Sequence, residues 1–168
     1  DKKTGVIRFG LGAVKGVGTR AVEGIIGIRA EGGPFRSIYD FCDRVDLRQV
    51  NRATTEALIK CGAFASTGAN RAQLQAVLDS AIEMGQQSQQ DRKMGQMNMF
   101  GAAAATGVAK ASPDALPDME EYKSAELLKF EKDVLGFYIT SHPLTEHQSA
   151  LENFSTDSTR QVVNRSEG

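Results

Sequence analysis

The stretch Leu11-Gly12-Ala13-Val14-Lys15-Gly16-Val17-Gly18 has the composition of a hairpin that binds a phosphate group. Gly16 and Gly18 permit positive φ and a close approach of the backbone to a partner, and Val17 between them is predicted to fill the core. A helical pattern starts near Thr19, so the first free N–H groups of that helix and the positive end of its dipole face whatever lies on the hairpin. The pattern predicts an anion site and indicates DNA as its ligand.

Two other interpretations fit a glycine-rich turn at a helix start. Nucleotide pyrophosphates use such turns, but the chain has no Gly-x-x-x-x-Gly-Lys-Ser/Thr motif and no βαβ pattern. A plain turn between two helices, with glycines at its corner, remains open on these residues alone. Other features of the sequence are needed to distinguish a plain turn from a turn that contacts DNA.

Length and composition predict one hydrophobic core. The chain has 168 residues, of which 40% are hydrophobic, and this leaves no room for two large domains. Because it begins with Asp1, we expect a piece of a longer protein. No signal peptide and no apolar run long enough to cross a membrane occurs, so a cytoplasmic location is expected. Cys42 and Cys61 stand in apolar settings without Cys-x-x-Cys spacing, which predicts free, buried thiols.

The net charge of −1 conceals two halves of opposite sign. Residues 1–72 hold twelve Lys/Arg against seven Asp/Glu, whereas residues 73–168 hold eight against fourteen. A basic half with a phosphate-type hairpin suits a polyanion, although an ordinary solvated surface also accounts for the excess. The basic residues that suit a polyanion are Lys15, Arg20, Arg48, Arg52 and Arg71.

Capping residues and apolar spacing predict a series of helices. The predicted helices are 19–30, 38–45 after an N-cap at Ser37, 52–61 after Asn51, and a longer helix after Asn70 with apolar residues recurring to Ile82. Between the last two helices, Gly62-Ala63-Phe64 resembles a degenerate second hairpin. It lacks the second turn glycine, and a longer loop follows it.

From Gly85 to Asp118 the composition changes to Gln, Ser, Gly, Ala and Pro, which predicts a flexible linker. It contains one cluster of large apolar residues, Gln96-Met97-Asn98-Met99-Phe100. Such anchors either dock in a partner's pocket or fold back on the neighbouring domain, and the residues alone slightly favour folding back. Glu120 to Tyr138 is predicted to form an amphipathic helix that packs toward a neighbour.

Six blocks in one collinear order resemble the alpha subunits of bacterial DNA polymerase III, between about residues 5 and 147. The blocks are Ile7 to Gly18, Gly33 to Cys42, Val50 to Arg52, Leu58 to Phe64, Gly95 to Gly101 and Leu135 to Leu144. The resemblance implies a mostly α fold with four parts. These are a tandem helix-hairpin-helix DNA-binding domain (1–84), a flexible linker with a clamp-binding peptide (85–118), a helical connector toward a missing OB domain (119–150), and a polar tail (151–168).

The same resemblance implies partners and site residues. Duplex primer-template DNA would be held through backbone phosphates by Lys15, Gly16, Val17, Gly18, Thr19, Arg20, Arg52 and Arg71. The sliding clamp would bind Gln96, Met97, Asn98, Met99 and Phe100, with the Gln amide at the edge of a pocket and the last two side chains inside it. Other replicase subunits are further expected partners, and a membrane is not.

No catalytic residue, metal ligand or cofactor is expected in this chain. In the family, the two-metal site for nucleotidyl transfer, which would use magnesium, belongs to a palm domain upstream, and no matching motif occurs here. Structural roles are expected for the two remaining groups of titratable residues, a solvated helix end with Asp40, Asp43 and Asp46, and the pair His142 and His147.

Two rival functions remain. A helix-hairpin-helix DNA glycosylase uses the same phosphate-binding turn but follows it with a catalytic Lys, whereas Thr19-Arg20-Ala21 follows it here. A protein-interaction scaffold would show no DNA affinity at any salt concentration. Incubation with damaged duplex DNA distinguishes the first rival, and salt-dependent DNA binding distinguishes the second.

Overall fold

The computed structural model describes residues 9–94 and 115–154, and these residues form six α-helices and no β-strand. The helices are α1 (Thr19–Gly32), α2 (Ile38–Arg44), α3 (Arg52–Lys60), α4 (Arg71–Lys93), α5 (Ser124–Leu135) and α6 (Gln148–Phe154). Short 3-10 helices occupy Leu11–Ala13, Ala65–Thr67 and Pro143–His147. The expectation of a mostly α fold is confirmed. The predicted clamp-binding peptide, Gln96 to Phe100, lies outside the described residues, as does the tail from residue 155.

The predicted N-caps start the helices as expected. The Ser37 hydroxyl accepts the Asp40 N–H at 3.1 Å, and the Asn51 side chain accepts the Thr54 N–H at 3.0 Å. Asn70 and Gln73 form a complete capping box at the start of α4. Such caps satisfy backbone donors that have no partner inside the helix, so these boundaries follow from local sequence.

One hydrophobic core joins the hairpin region to the helices. α4 packs against both α2 and α3, and α5 packs against α3. Val14 and Val17 from the first hairpin belong to the same cluster of buried side chains as Val134 from α5. Among the most deeply buried apolar residues are Ile38, Cys42, Leu58, Ile59, Leu74 and Leu78. The amphipathic helix predicted over Glu120 to Tyr138 is α5, which is shorter at both ends, and its neighbour is this core.

The predicted linker start at Gly85 is wrong, because α4 continues without interruption to Lys93. Gly85 is buried against the backbone of α2, where a Cβ atom would lie 2.5 Å from the Cys42 carbonyl oxygen. The glycine therefore allows two helices to approach closely and does not mark a break.

Polar contacts hold the last turns of α4 where the apolar spacing has ended. Gln89 donates from Nε2 to the carbonyls of Cys42, Asp43 and Val45 at 2.9–3.2 Å. These carbonyls lie at the end of α2, whose last turn lacks intrahelical donors. Arg92 adds an ion pair to Asp43 at 2.9 Å. The glutamine-rich part of the predicted linker thus belongs to α4, and its Gln89 caps the C-terminus of α2.

The two cysteines are free thiols with different exposure. Cys42 is fully buried, and this burial raises the pKa of its thiol to about 12. Cys61 is partly exposed, and burial again raises its pKa. The prediction of free, partly or wholly buried thiols is confirmed.

Replacing Gly85 by Ala should destabilise the protein. The new methyl group meets the Cys42 backbone at 2.5 Å, and relieving such a clash costs about 1–3 kcal/mol, more than the ~1 kcal/mol that Ala gains over Gly in a helix. Gly27→Ala in α1 is the matched control, since a Cβ there meets no atom within 4 Å and should be neutral or stabilising. Urea unfolding measures both variants. Equal stability of the two would contradict the close approach of α2 and α4.

Candidate nucleic-acid interface

The first hairpin presents an open glycine surface at the start of α1. Gly16 has φ of +86°, a left-handed conformation that favours glycine. Gly18 is the N-cap of α1, with φ −75° and ψ 153°, so its backbone would accept other residues. A Cβ atom built on either glycine meets nothing within 4 Å. The second glycine is therefore required by neither the backbone nor the packing within the described residues.

Contacts with the hydrophobic core, α3 and α5 fix the position of this hairpin. Val14 and Val17 are buried, so the turn is attached to the core on both sides of Lys15 and Gly16. The Lys15 N–H donates to the Val134 carbonyl of α5 at 2.7 Å. Thr54 of α3 donates from Oγ1 to the Gly16 carbonyl at 3.3 Å. The hairpin is thus held by two helices that follow it in the chain.

The first amides of α1 lack the side-chain cap that starts α2, α3 and α4. Its first intrahelical bond runs from the Val22 N–H to the Gly18 carbonyl at 3.1 Å, so the N–H groups of residues 19–21 precede the helical ladder. Gly18 has no side chain to accept from them. Free amides at the positive end of a helix dipole are a favourable environment for an anion.

Five of the predicted site residues lie together on this surface. Lys15, Gly16, Gly18, Thr19 and Arg20 are all exposed. Within residues 9–94 and 115–154, neither basic side chain forms an ion pair or a hydrogen bond. Both positive charges are therefore available to a ligand at the hairpin.

Three other predicted site residues have different surroundings. The Val17 side chain points into the core, as the hairpin pattern predicts, and does not line the surface. Arg52 is 54% exposed, but its guanidinium binds Asp79 at 2.6 Å and Glu56 at 3.0 Å. The positive charge of Arg52 is therefore balanced by two carboxylates of the protein itself.

Arg71 is the clearest departure from the predicted DNA contacts. Its side chain is only 17% exposed and faces the Glu131 carboxylate at 3.6 Å. Its Nη1 atom is buried without a hydrogen-bond partner. Arg71 is therefore mostly buried and paired within the protein. Its sequence position at a helix start does not reveal this partner in α5.

Glu131 is a buried carboxylate that the sequence analysis did not single out. It is 2% exposed and accepts the Ile139 N–H at 2.8 Å, the Thr140 N–H at 3.0 Å and the Thr140 hydroxyl. Burial favours the neutral carboxyl, but these hydrogen bonds and the charge of Arg71 outweigh it and hold the pKa of Glu131 below its ordinary value. The available signal was its place on the apolar face of α5, between Leu128 and Val134.

The second hairpin repeats part of the geometry of the first. Gly68 has φ of +78° and lies two residues before the N-cap Asn70, as Gly16 lies two residues before Gly18. Phe64 is buried, as Val14 is in the first hairpin. The 3-10 helix Ala65–Thr67 lengthens the second loop. The degenerate hairpin expected from the sequence is therefore a related turn with a different helix start.

Asp40, Asp43, Asp46 and His142 have partners within the protein. The carboxylates of Asp40, Asp43 and Asp46 form separate ion pairs with Arg44, Arg92 and Arg48. His142 accepts the Leu144 N–H at 3.2 Å. No group of three or more His, Cys, Asp or Glu side chains in the described ranges is arranged to hold a metal ion. Among the same residues, no helix is both long and apolar enough to cross a membrane.

The turn between the first helices has the geometry of a helix-hairpin-helix motif, and the family model described as a helix-hairpin-helix motif matches residues 1–74 of this chain. Curated relatives of this chain include DNA polymerase III alpha subunits. The chain is 40% identical to that of Pseudomonas aeruginosa over 166 residues and 36% identical to that of Pasteurella multocida over 164 residues. The matches cover 90% and 98% of this chain but 14% of each relative. The resemblance to DNA polymerase III alpha subunits is thus confirmed, and the chain spans about a seventh of their length.

Replacing Glu131 by Gln should cost about 1–3 kcal/mol of unfolding free energy at pH 7, because the buried Arg71 guanidinium loses its counter-charge. A carboxyl with a lowered folded pKa stabilises the protein above its unfolded pKa of about 4.3 and loses that contribution as the pH falls through the folded pKa. The wild-type protein should therefore weaken below about pH 5, and the variant should weaken less. Urea unfolding at several pH values tests this, with exposed Glu126→Gln as control. Identical pH slopes for wild type and Glu131→Gln would contradict the assignment.

Proposed function

We propose that this chain is a non-catalytic part of a replicative DNA polymerase, which holds duplex DNA and attaches the polymerase to its sliding clamp. The observation that carries the DNA-binding half is the first hairpin, where α1 begins at an uncapped glycine with open space above it. The first amides of α2, α3 and α4, by contrast, are capped by the side chains of Ser37, Asn51 and Asn70.

The chemistry of this surface suits a backbone phosphate. The amides of residues 19–21 can donate to phosphate oxygens, and Lys15 and Arg20 supply positive charge on either side of the turn. Such contacts do not read base edges, so binding should be independent of sequence. The exposure of Lys15, Gly16, Gly18, Thr19 and Arg20 supports them as the contact residues. Arg52 is instead paired with Asp79 and Glu56, and Arg71 is mostly buried beside Glu131.

The clamp-binding half of the proposal rests on sequence and on the end of α4. Gln96 to Phe100 follows closely after α4 ends at Lys93. Two apolar anchors in a segment poor in other apolar residues suit a pocket on a partner. The similarity to DNA polymerase III alpha subunits supports the clamp, with other replicase subunits as further partners in the cytoplasm. Nucleotidyl transfer with magnesium would belong to another part of such a polymerase.

The structure also suggests a revised division of the chain. α5 contributes buried residues to the core and a backbone hydrogen bond to the first hairpin. We therefore propose a DNA-binding unit that includes residues 9–94 and 115–135, with the clamp-binding peptide in the intervening segment. A truncated protein that ends at residue 82 would lack this support.

Substituting Gly18 by Val should weaken binding to duplex DNA at least tenfold. Its backbone conformation tolerates a side chain, so the substitution blocks the surface without straining the fold. Gly10→Val is the matched control, since Gly10 has a similar conformation, φ −77° and ψ 144°, and equally open space. Fluorescence anisotropy with a labelled primer-template measures both variants, and circular dichroism checks their helix content.

The salt dependence of the same binding gives an independent measurement. If Lys15 and Arg20 neutralise two phosphates, log K should fall against log salt with a slope near −2, equally for two unrelated duplex sequences. Binding that is unaffected by both salt and Gly18→Val would reject the hairpin as the DNA site. Absence of DNA binding at any salt concentration would favour the protein-interaction scaffold.

Replacing Met99 and Phe100 together by Ala should abolish binding to a bacterial sliding clamp. Full burial of each such side chain contributes about 1.5–3 kcal/mol, so the pair should cost 100-fold or more in Kd. Titration of the whole chain with clamp by calorimetry measures this. Met94→Ala, at a 59% exposed position just before the peptide, is the control. Equal clamp affinity of the double variant and the wild type would reject the peptide, and DNA binding should not change in either.

A further inference from the structure

Two half-exposed phenylalanine rings lie against each other near the first hairpin, and we call Phe9 and Phe137 the aromatic pair. Phe9 is 48% exposed and Phe137 is 38% exposed, with ring centroids 4.7 Å apart. Phe35, Phe41 and Phe64, by contrast, pack edge to face in or against the core. Single exposed apolar side chains are ordinary on a protein surface, but two adjacent aromatic rings form a patch that indicates a contact with another molecule.

The backbone places the aromatic pair at the edge of the hairpin. Phe9 comes two residues before the 3-10 helix Leu11–Ala13, which leads into the turn. Phe137 comes two residues after the end of α5. Val134, in the last turn of α5, accepts the Lys15 N–H at 2.7 Å. Because consecutive Cα atoms are 3.8 Å apart, the Cα atom of Phe137 lies at most about 11 Å from that of Val134. Both rings therefore belong to chain segments that border the turn.

Positive charge accompanies the aromatic pair. Within residues 9–94 and 115–154, Lys15 and Arg20 on the hairpin form neither an ion pair nor a hydrogen bond. Lys132 donates from Nζ to the Gly136 carbonyl at 2.9 Å, and this ammonium group lies 5.5 Å from the centroid of the Tyr138 ring. Aromatic faces beside cations suit a polyanion that carries planar groups, which is the chemistry of a nucleic acid.

The kind of nucleic acid follows from the geometry of stacking. Inside a duplex, neighbouring base pairs cover both faces of each base, so an aromatic side chain at the surface cannot stack on it. An unpaired base leaves its face free, and every base has such a face, so stacking tolerates any sequence. The aromatic pair therefore fits single-stranded DNA, whereas the hairpin amides fit the phosphates of either form.

We propose that the aromatic pair stacks on an unpaired base of a DNA strand whose phosphates are bound at the first hairpin. The two surfaces together then recognise a junction between duplex and single strand, such as the end of a primer-template. This inference rests on the proposed DNA-binding function and adds to it the part of the DNA that the chain selects.

The test compares a duplex with a short thymidine overhang, the same duplex with an abasic overhang, and a blunt duplex. The abasic overhang keeps the phosphates and removes the bases, so it controls for charge. Wild type should bind the thymidine overhang at least fivefold more tightly than the abasic one, the least effect expected from stacking one base on an aromatic side chain. Fluorescence anisotropy on the whole chain measures all three affinities.

Phe137→Ala should abolish this preference and leave the affinity for the blunt duplex unchanged. Phe137→Leu keeps an apolar side chain against Phe9, so it tests the ring itself and should also lose the preference. Met84→Ala, at a 40% exposed position on α4, is the matched control and should retain it. Equal binding of the thymidine and abasic overhangs by wild type, or a preference that persists in both Phe137 variants, would overturn the inference.

A single-stranded thymidine oligonucleotide separates this inference from the proposed function. In NMR spectra it should shift the ring protons of Phe9 and Phe137 upfield, because a stacked base shields them, and leave those of buried Phe41 unchanged. If duplex binding is insensitive to Gly18→Val, the proposed role of the hairpin fails, while these ring shifts still decide the inference. Unshifted rings, or self-association of the protein that Phe137→Ala abolishes without any effect on DNA binding, would assign the aromatic pair to a protein partner and overturn it.

Discussion

Burial of Val14 and Val17 on either side of the turn is the constraint on which the candidate interface depends. Two inward side chains, three residues apart, force the peptide groups between them to the surface, and only a glycine adopts the positive φ this requires at Gly16 without strain. The hydrogen bonds from Thr54 and to Val134 then fix the turn from α3 and α5. The helix that follows begins without a side-chain cap, and the hairpin can offer backbone donors because the core on its other side is rigid.

Five basic residues of the basic half form ion pairs within the described part of the chain. Arg52 is bound by two carboxylates, Arg71 faces Glu131, and Arg44 donates to the Gly33 and Ile28 carbonyls as well as to Asp40. Asp79 and Glu131 lie outside residues 1–72, so the excess of Lys and Arg counted over that range overstates the positive charge that a polyanion meets. Backbone amides carry a larger part of the proposed recognition, and their positions are set by packing.

The parts of the fold that were predictable depend on residues close together in sequence. Ser37, Asn51 and Asn70 identified helix starts because a cap and its amide are three residues apart. The end of α4 was missed because Gln89 has meaning only beside the carbonyls that end α2, more than forty residues earlier. Arg71 was predicted to contact DNA for the same reason, because its partner Glu131 lies far from it in the sequence, on α5. Charge and spacing predicted the hairpin surface, but they could not predict which cations have internal partners.

The course of the chain relates the two proposed binding functions. Residues 95–114 follow the C-terminal end of α4 in the sequence. Residues 115–123, which come next, contact the N-terminal end of the same helix. At about 1.5 Å per residue, the 23 residues of α4 separate these ends by about 34 Å. In the sequence, the proposed clamp-binding peptide begins within a few residues of one end, whereas Glu121 contacts the first amides of α4 at the other. Residues 95–114, which contain the proposed clamp-binding peptide, are therefore attached to the folded core at opposite ends of one helix.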